Sequence, residues 1–380
     1  RLIDRWLRRE SRKIKTKDNY KLMTYLPAWI GREWTAQEIQ GNKLTHLLLS
    51  FARIDNEFRI SDRDVRIKNV PDTISAQMVA DKTWLELKKV RKKYPHLKAI
   101  IAVGGWEGEG FSDLAATAPT REIFVDSVVR YLEKHQLDGI DLDWEFPVNG
   151  AMGVIKSRPE DRQNFTLLLQ LLREKLGENK EISFCANGAS WFADVVELEK
   201  VHPLVNSINL MAYDFYGPWC KTTGHHANLY LNEKDPLAAG GLSADLAVKR
   251  LRGAGVPANK IVLGVATYGR EFYQAEPGPD GNGLFQNHQG TIWRGGSIPY
   301  TYLKQYYLNK HGFTRHWDNV AKAPFLYDGT TFITYDDEES IQEKSRYVKE
   351  AGLAGVMYWE YLSDRQGDLL TVIANSLSGR

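Results

Sequence analysis

Cysteine is nearly absent from this chain: Cys185 and Cys220 are the only two in 380 residues. Two thiols cannot build a disulfide framework, so the fold must rest on its core. Cys185, inside an apolar run, reads as a small buried hydrophobe. No apolar stretch approaches the roughly 20 residues of a membrane span, and no signal-type hydrophobic segment is present. An excess of one charge is missing too. With 50 Lys and Arg against 48 Asp and Glu, the net charge is +2. That balance gives no basic stripe, so no nucleic-acid partner is expected. The local exception is a basic arm over residues 1–19, with Arg5, Arg8, Arg9, Arg12, Lys13 and Lys15, read as solvated and not membrane-bound. The first residue is Arg and not Met, so removal of an upstream segment and a secreted or periplasmic location are expected.

What is present is a large apolar fraction, 43%, enough for one large barrel or two domains. Eight short apolar runs read as strands: Lys21–Leu26, Thr45–Ala52, Leu97–Gly105, Leu137–Glu145, Glu181–Asn187, Ser207–Tyr213, Lys260–Thr267 and Leu353–Trp359. Amphipathic segments alternate with them, namely Asp81–Tyr94, Thr120–His135, Arg158–Leu176, Ser243–Gly255 and Asp337–Ala351. Strand–helix alternation over eight units predicts an α/β fold, a closed (β/α)8 TIM barrel. An open doubly wound sheet is the alternative, disfavoured because no Gly-rich phosphate turn follows the first strand. Roughly 65 residues then separate Arg270 from the helix near Asp337, far more than an ordinary connection. This interval predicts a small α+β insertion over residues 272–332, between strand 7 and helix 7. The barrel then comprises residues 20–271 and 333–380, and the insertion stands beside the face where barrels keep their chemistry.

The run Asp138 to Pro147 places Asp141, Asp143 and Glu145 at every second residue among apolar neighbours. On a strand these acids share one face, while Ile140, Leu142 and Trp144 take the other. An amphipathic edge strand with its acids in water would show the same alternation. Acids are poor strand formers, however, and the opposite face is bulky. A calcium site would need a turn with Gly and backbone carbonyls, which a strand lacks. The column therefore reads as an acid–base site. Asp138, of opposite parity, reads as structural, and Trp144 should pack against helices.

Other strand ends also finish in polar or aromatic residues: Tyr25, Phe51, Gly104-Gly105-Trp106, Asn187, Met211, Tyr213 and Asp214, Tyr268 and Arg270, and Trp359-Glu360. Tryptophans at strand exits, Trp29, Trp106, Trp191 and Trp219, suggest stacking surfaces for flat apolar faces such as sugar rings.

These motifs together resemble glycoside hydrolase family 18, the chitinases. Asp138-Gly-Ile-Asp141-Leu-Asp143-Trp-Glu145 is similar to the DGxDxDxE signature. Met211-Ala-Tyr213-Asp214 with Gly217-Pro218-Trp219, Tyr268-Gly269-Arg270 and Gly355 to Trp359 resemble the sixth-, seventh- and eighth-strand motifs. The likeness runs from Tyr25 to about Asp364. It implies hydrolysis of β-1,4-linked N-acetylglucosamine in chitin or its oligosaccharides, with retention and without cofactor or metal. Glu145 would be the general acid/base. The substrate's own acetamido oxygen would be the nucleophile, an exception to the two-carboxylate rule. Asp143 would orient the acetamido N–H, Tyr213 would donate to its oxygen, and Asp141 would share a proton with Asp143.

The same resemblance implies sugar contacts from Tyr25, Phe51, Gly105, Trp106, Met211, Asp214, Trp219, Tyr268, Arg270 and Trp359, and a monomer. One departure stands out: the family's third strand usually reads Ser-x-Gly-Gly, where this chain has Ala102-Val103-Gly104-Gly105. The missing hydroxyl is expected to leave Asp141 one donor short, unless Tyr25 or a water substitutes, and to raise its pKa. Two other functions share the scaffold: an endo-β-N-acetylglucosaminidase acting on the N-glycan core, and a non-catalytic chitin-binding lectin. The presence of Glu145 argues against the lectin.

Overall fold

The computed structural model describes residues 19–28, 34–62, 73–293 and 296–379. The basic arm before Asn19 and Trp29 lie outside the described residues. Eight parallel strands form a closed ring: β1 (Lys21–Pro27), β2 (His46–Ile54), β3 (Lys98–Gly104), β4 (Gly139–Asp143), β5 (Glu181–Asn187), β6 (Ser207–Met211), β7 (Ile261–Ala266) and β8 (Gly355–Trp359). Each pairs with its sequence neighbours, and β1 closes the ring by pairing with both β2 and β8. The chain is therefore a (β/α)8 barrel.

Around the ring run α1 (Thr73–Lys93), α2 (Ala118–His135), α3 (Asp161–Leu176), a short α4 (Leu198–Val201), α5 (Ala244–Gly253), α6 (Glu338–Glu350) and α7 (Asp368–Ser378). Their starts follow local chemistry. The Thr117 side chain accepts the Thr120 N–H at the head of α2, and Asp337 accepts the Glu339 and Ser340 N–H groups at the head of α6. Such caps satisfy amide groups that a helix's first turn leaves without partners.

Strand alternation divides the core in two. Outward residues such as Leu47, Ile101, Ile140, Leu142, Ile208 and Leu210 pack with the helices in one continuous cluster. Inward residues Met23, Tyr25, Leu48, Ile100, Ala102, Cys185, Val262 and Met357 fill the barrel. Trp144 obeys this division: it stacks on Phe111 with ring centroids 5.3 Å apart and meets the edge of Phe165 on α3. Asp138 sits at the other end of β4 and is structural, accepting the Ala99 N–H at 2.8 Å and an Arg91 N–H at 3.1 Å.

Between β7 and α6 lies a five-stranded antiparallel sheet in the order Ser297–Pro299, Tyr268–Phe272, Phe332–Thr334, Ala323–Tyr327, Thr314–Asp318. The helix Tyr300–Tyr306 accompanies it. Tyr216, Phe272, Phe325, Tyr327 and Phe332 form its own aromatic core. The strand Tyr268–Phe272 starts two residues after β7 ends. Tyr268 and Arg270 are thereby carried on this sheet, directly above the barrel.

Candidate active site

Asp141 is the deepest of the three acids and has no solvent exposure. Its neighbours follow from register. Asp141 stands opposite Ala102 on β3 and Ser183 on β5, and Cys185 in turn stands opposite Asn209 on β6. Asp141 accepts hydrogen bonds from Tyr25 Oη (2.6 Å), Ser183 Oγ (2.7 Å) and Asn209 Nδ2 (3.1 Å), and a longer one from Cys185 Sγ (3.6 Å). The expected shortage of donors opposite Ala102 is therefore not found. Burial raises the Asp141 pKa, and these four donors act against it.

Asp143 is also buried, at 5% exposure, and its Oδ1 has no hydrogen-bond partner in the protein. Burial first, and the Asp141 carboxyl second, push its pKa upward. It bonds to Glu145, whose pKa is raised well above the usual range by burial, by the Asp143 charge and by that bond. β4 ends at Asp143, opposite Gly104, so Glu145 is not part of the strand as expected. It lies just beyond the ladder, half-buried where the other two acids are enclosed. Two like charges this close resist joint ionisation, so the pair holds a proton well above an ordinary carboxylate.

Aromatic side chains floor the space beside the acids. Trp359, at the end of β8, stacks on Phe51 at 5.4 Å and 14° and meets Tyr25 at 5.5 Å. Room for Phe51 depends on Gly105, with φ of +85°: a Cβ there would lie 2.6 Å from the Phe51 ring. Met211 and Tyr213 border the same interior cluster. Tyr213 is held protonated chiefly by burial, then by Tyr268, whose ring meets it edge-on at 6.2 Å. The peptide bonds Ser50–Phe51, Glu145–Phe146 and Trp359–Glu360 are cis. Glu360 is buried and caps the turn after β8, accepting from the Leu362 N–H and the Ser363 hydroxyl.

One wall is a polar network. Asp214 accepts from Tyr268 Oη at 2.7 Å and from Arg270 Nε and Nη2 at 3.0 and 2.7 Å. Burial works to raise its pKa, but its neighbours, the Arg270 guanidinium and the Tyr268 hydroxyl among them, prevail and hold it below the carboxylate range. The Arg270 guanidinium lies 5.0 Å from the Trp219 ring and 5.3 Å from Tyr268. Trp219 and Trp106 expose 61% and 53% of their surface. Most of the expected site residues thus lie within the barrel strands, just beyond them or on the sheet above, while Trp219 is on the loop after β6, against Arg270.

Sequence reasoning missed Ser183, Asn209 and His226. Cys185 is buried in the barrel's apolar cluster as expected, and its Sγ also lies 3.1 Å from Tyr25 Oη. Inward parity on β5 and β6 was the available signal. Among the described residues no cluster of three or more His, Cys, Asp or Glu could hold a metal ion.

A closed (β/α)8 barrel with a column of protonatable carboxyls at its strand ends and an aromatic floor is the frame of a carbohydrate-active hydrolase. Comparison with known proteins gives the family. Residues 21–364 match the model of glycosyl hydrolases family 18, and the chain belongs to that family. It is 36% identical to chitinase A1 of Niallia circulans over 407 aligned residues, covering 93% of this chain and 58% of that protein. Chitinase ChiW of Paenibacillus sp. str. FPU-7 superposes with a TM-score of 0.86 at 38% identity, over 95% of this chain and 43% of that one. A family 18 N-acetylglucosaminidase from Paenibacillus barengoltzii superposes with a TM-score of 0.81 at 36% identity, over 94% of this chain and all of that one. The chain thus spans little more than half of the first relative and less than half of the second.

Proposed function

We propose that this chain is a chitinase that cleaves β-1,4 linkages between N-acetylglucosamine units by a retaining, substrate-assisted route. The observation that carries the reading is the Asp143–Glu145 pair. Glu145 is only half-buried and has its pKa raised by burial and by Asp143, while Asp143 presents a buried oxygen with no partner. Glu145 gives its proton to the glycosidic oxygen as the bond breaks, which a carboxyl with a raised pKa can do at neutral pH. The substrate's 2-acetamido oxygen attacks the anomeric carbon and forms an oxazolinium ion. Asp143 Oδ1 accepts the acetamido N–H, which both orients the group and balances the positive charge that develops. Tyr213 donates its hydroxyl to the acetamido oxygen. Asp141 spreads negative charge over its four donors and lets Asp143 take or release the shared proton. Glu145 then withdraws a proton from the incoming water as its oxygen bonds to the anomeric carbon, the bond from that carbon to the acetamido oxygen breaks to restore the acetamide, and two inversions leave the anomeric configuration retained.

Trp359, backed by Phe51, serves as the floor for the sugar that is cleaved. Trp106 and Trp219 stack on sugars farther out, and Asp214, Tyr268, Arg270 and Met211 line the middle. Residues 272–332 act as an inserted unit that walls the cleft. The substrate is chitin or its oligosaccharides, in keeping with the chitinase names of the relatives. A polymer that cannot enter a cell fits a secreted protein, and a cleft complete within one chain fits a monomer.

The test is Glu145→Gln. It should still bind chito-oligosaccharides, while turnover falls by about a thousandfold or more. Retained turnover would overturn the assignment of the acid. Cleavage of N-glycan cores with chitin oligomers untouched would favour the endoglycosidase reading, and binding without turnover by the unmodified chain would favour the lectin.

A further inference from the structure

His226 belongs to none of the strand-end motifs, yet it is fully buried behind the polar wall of the cleft. The Asp214 backbone N–H donates to His226 Nδ1 at 3.3 Å, and His226 Nε2 lies 3.2 Å from the Tyr268 carbonyl oxygen. A ring nitrogen that accepts must offer a lone pair, so the proton belongs on Nε2, where it donates to the carbonyl. These two bonds select one neutral tautomer from the hydrogen-bond pattern. The His226 main chain is tied as well: its N–H donates to Thr334 Oγ1 at 3.0 Å, and its carbonyl accepts the Phe215 N–H at 3.0 Å. One residue thereby joins the end of β6 to the strands Tyr268–Phe272 and Phe332–Thr334.

Asp214 needs such a tie. Its φ is +56°, a left-handed conformation that a non-glycine residue keeps only where its surroundings fix it. His226 Nδ1 stands 3.7 Å from the nearer Asp214 carboxylate oxygen, too far for a hydrogen bond. The imidazole therefore holds Asp214 by its backbone and leaves the carboxylate to Tyr268, Arg270 and an incoming hydroxyl. The charged groups around the ring are Asp214, Arg270 and Asp336, the last already paired with Lys344 at 2.7 Å.

We propose that His226 is a positioning residue for substrate binding: as its neutral Nε2–H tautomer it fixes the Asp214 backbone, so that the Asp214 carboxylate meets the sugar in one geometry. The proposal rests on the reading of Asp214 as a sugar contact. Three variants separate the two ring nitrogens. His226→Asn puts an amide oxygen where Nδ1 stands, His226→Gln puts an amide nitrogen near Nε2, and His226→Leu supplies neither.

On a chito-oligosaccharide, KM should stay near wild type for His226→Asn and rise about tenfold for the other two, with kcat within about threefold throughout. Thermal melting accompanies each measurement, and if His226→Leu does not fold, the Asn–Gln contrast decides alone. Equal KM values across the series would overturn the proposal. So would rescue by Gln but not Asn, or a fall in kcat at constant KM. Binding constants measured on a Glu145→Gln background should follow the same order. They separate a wrong role for His226 from a wrong assignment of the acid, and failure of the wild type to cleave any chito-oligosaccharide would refute the reading of the cleft itself.

Discussion

Tyr25 does what the third strand cannot. Ala102 faces Asp141 across the β3–β4 ladder and offers no donor, but Tyr25 Oη reaches the same carboxylate at 2.6 Å. Ser183 and Asn209 supply the rest. A hydrogen bond to the charged form lowers an acid's pKa, so loss of Tyr25 Oη should raise Asp141 further. Tyr25→Phe is therefore expected to displace the acid limb of the kcat/KM profile upward. Ala102→Ser should barely move it, since the carboxylate is already well supplied. Comparing the two profiles checks this ranking, and a larger shift for Ala102→Ser would reverse it. The acid column itself was legible in the sequence, because a period of two puts alternate side chains on one face whatever the fold. The donors to Asp141 were not. Ser183 and Asn209 meet it only through the stagger of neighbouring strands, which no single strand's pattern records. His226 was invisible for a related reason: it comes from a loop, and loops carry no periodicity.

Elements show the same division between pattern and context. All eight barrel strands were readable because strands buried on both faces are continuous apolar runs. Their ends were less so: β4 stops at Asp143 because the last ladder partner is Gly104, although the alternation continues to Glu145. The helix α1 starts at Thr73 and not near Asp81. Met78 and Val79, just before Asp81, are 65% and 41% exposed and add nothing to an apolar stripe toward the core. The turn after β3 is tightly packed. Gly105→Ala would place a methyl group 2.6 Å from Phe51, at a φ of +85°. Overpacking and left-handed strain together should cost about 2–4 kcal/mol. Displacing Phe51 should also loosen Trp359, which stacks on it. A lowered melting temperature with a raised KM for oligosaccharides is the expected outcome. A variant that matches wild type in both would show that Phe51 has room to spare.

For the whole molecule the acid column is a conflict between stability and chemistry. The folded state raises the pKa of Asp143 above its unfolded value, so between those two values the folded chain binds more protons than the unfolded one. Stability then falls as pH rises through that window. Asp143→Asn removes the buried charge and should raise the melting temperature at neutral pH. The gain should shrink toward pH values near 4, about where a free Asp is itself half-protonated. Melting curves across that range check the sign, and a gain that grew on acidification would refute it. Turnover should fall in the same direction, on the alkaline side, as Glu145 gives up the proton it must donate.

The central claim is that the substrate's own acetamido group, and not a directly attacking water, meets the anomeric carbon. Proton NMR on the first products from a defined chito-oligosaccharide tests it most directly, read before the sugars mutarotate. The account predicts that the newly formed reducing end appears first as the β-anomer, with the configuration of the cleaved bond retained. Initial formation of the α-anomer would contradict it.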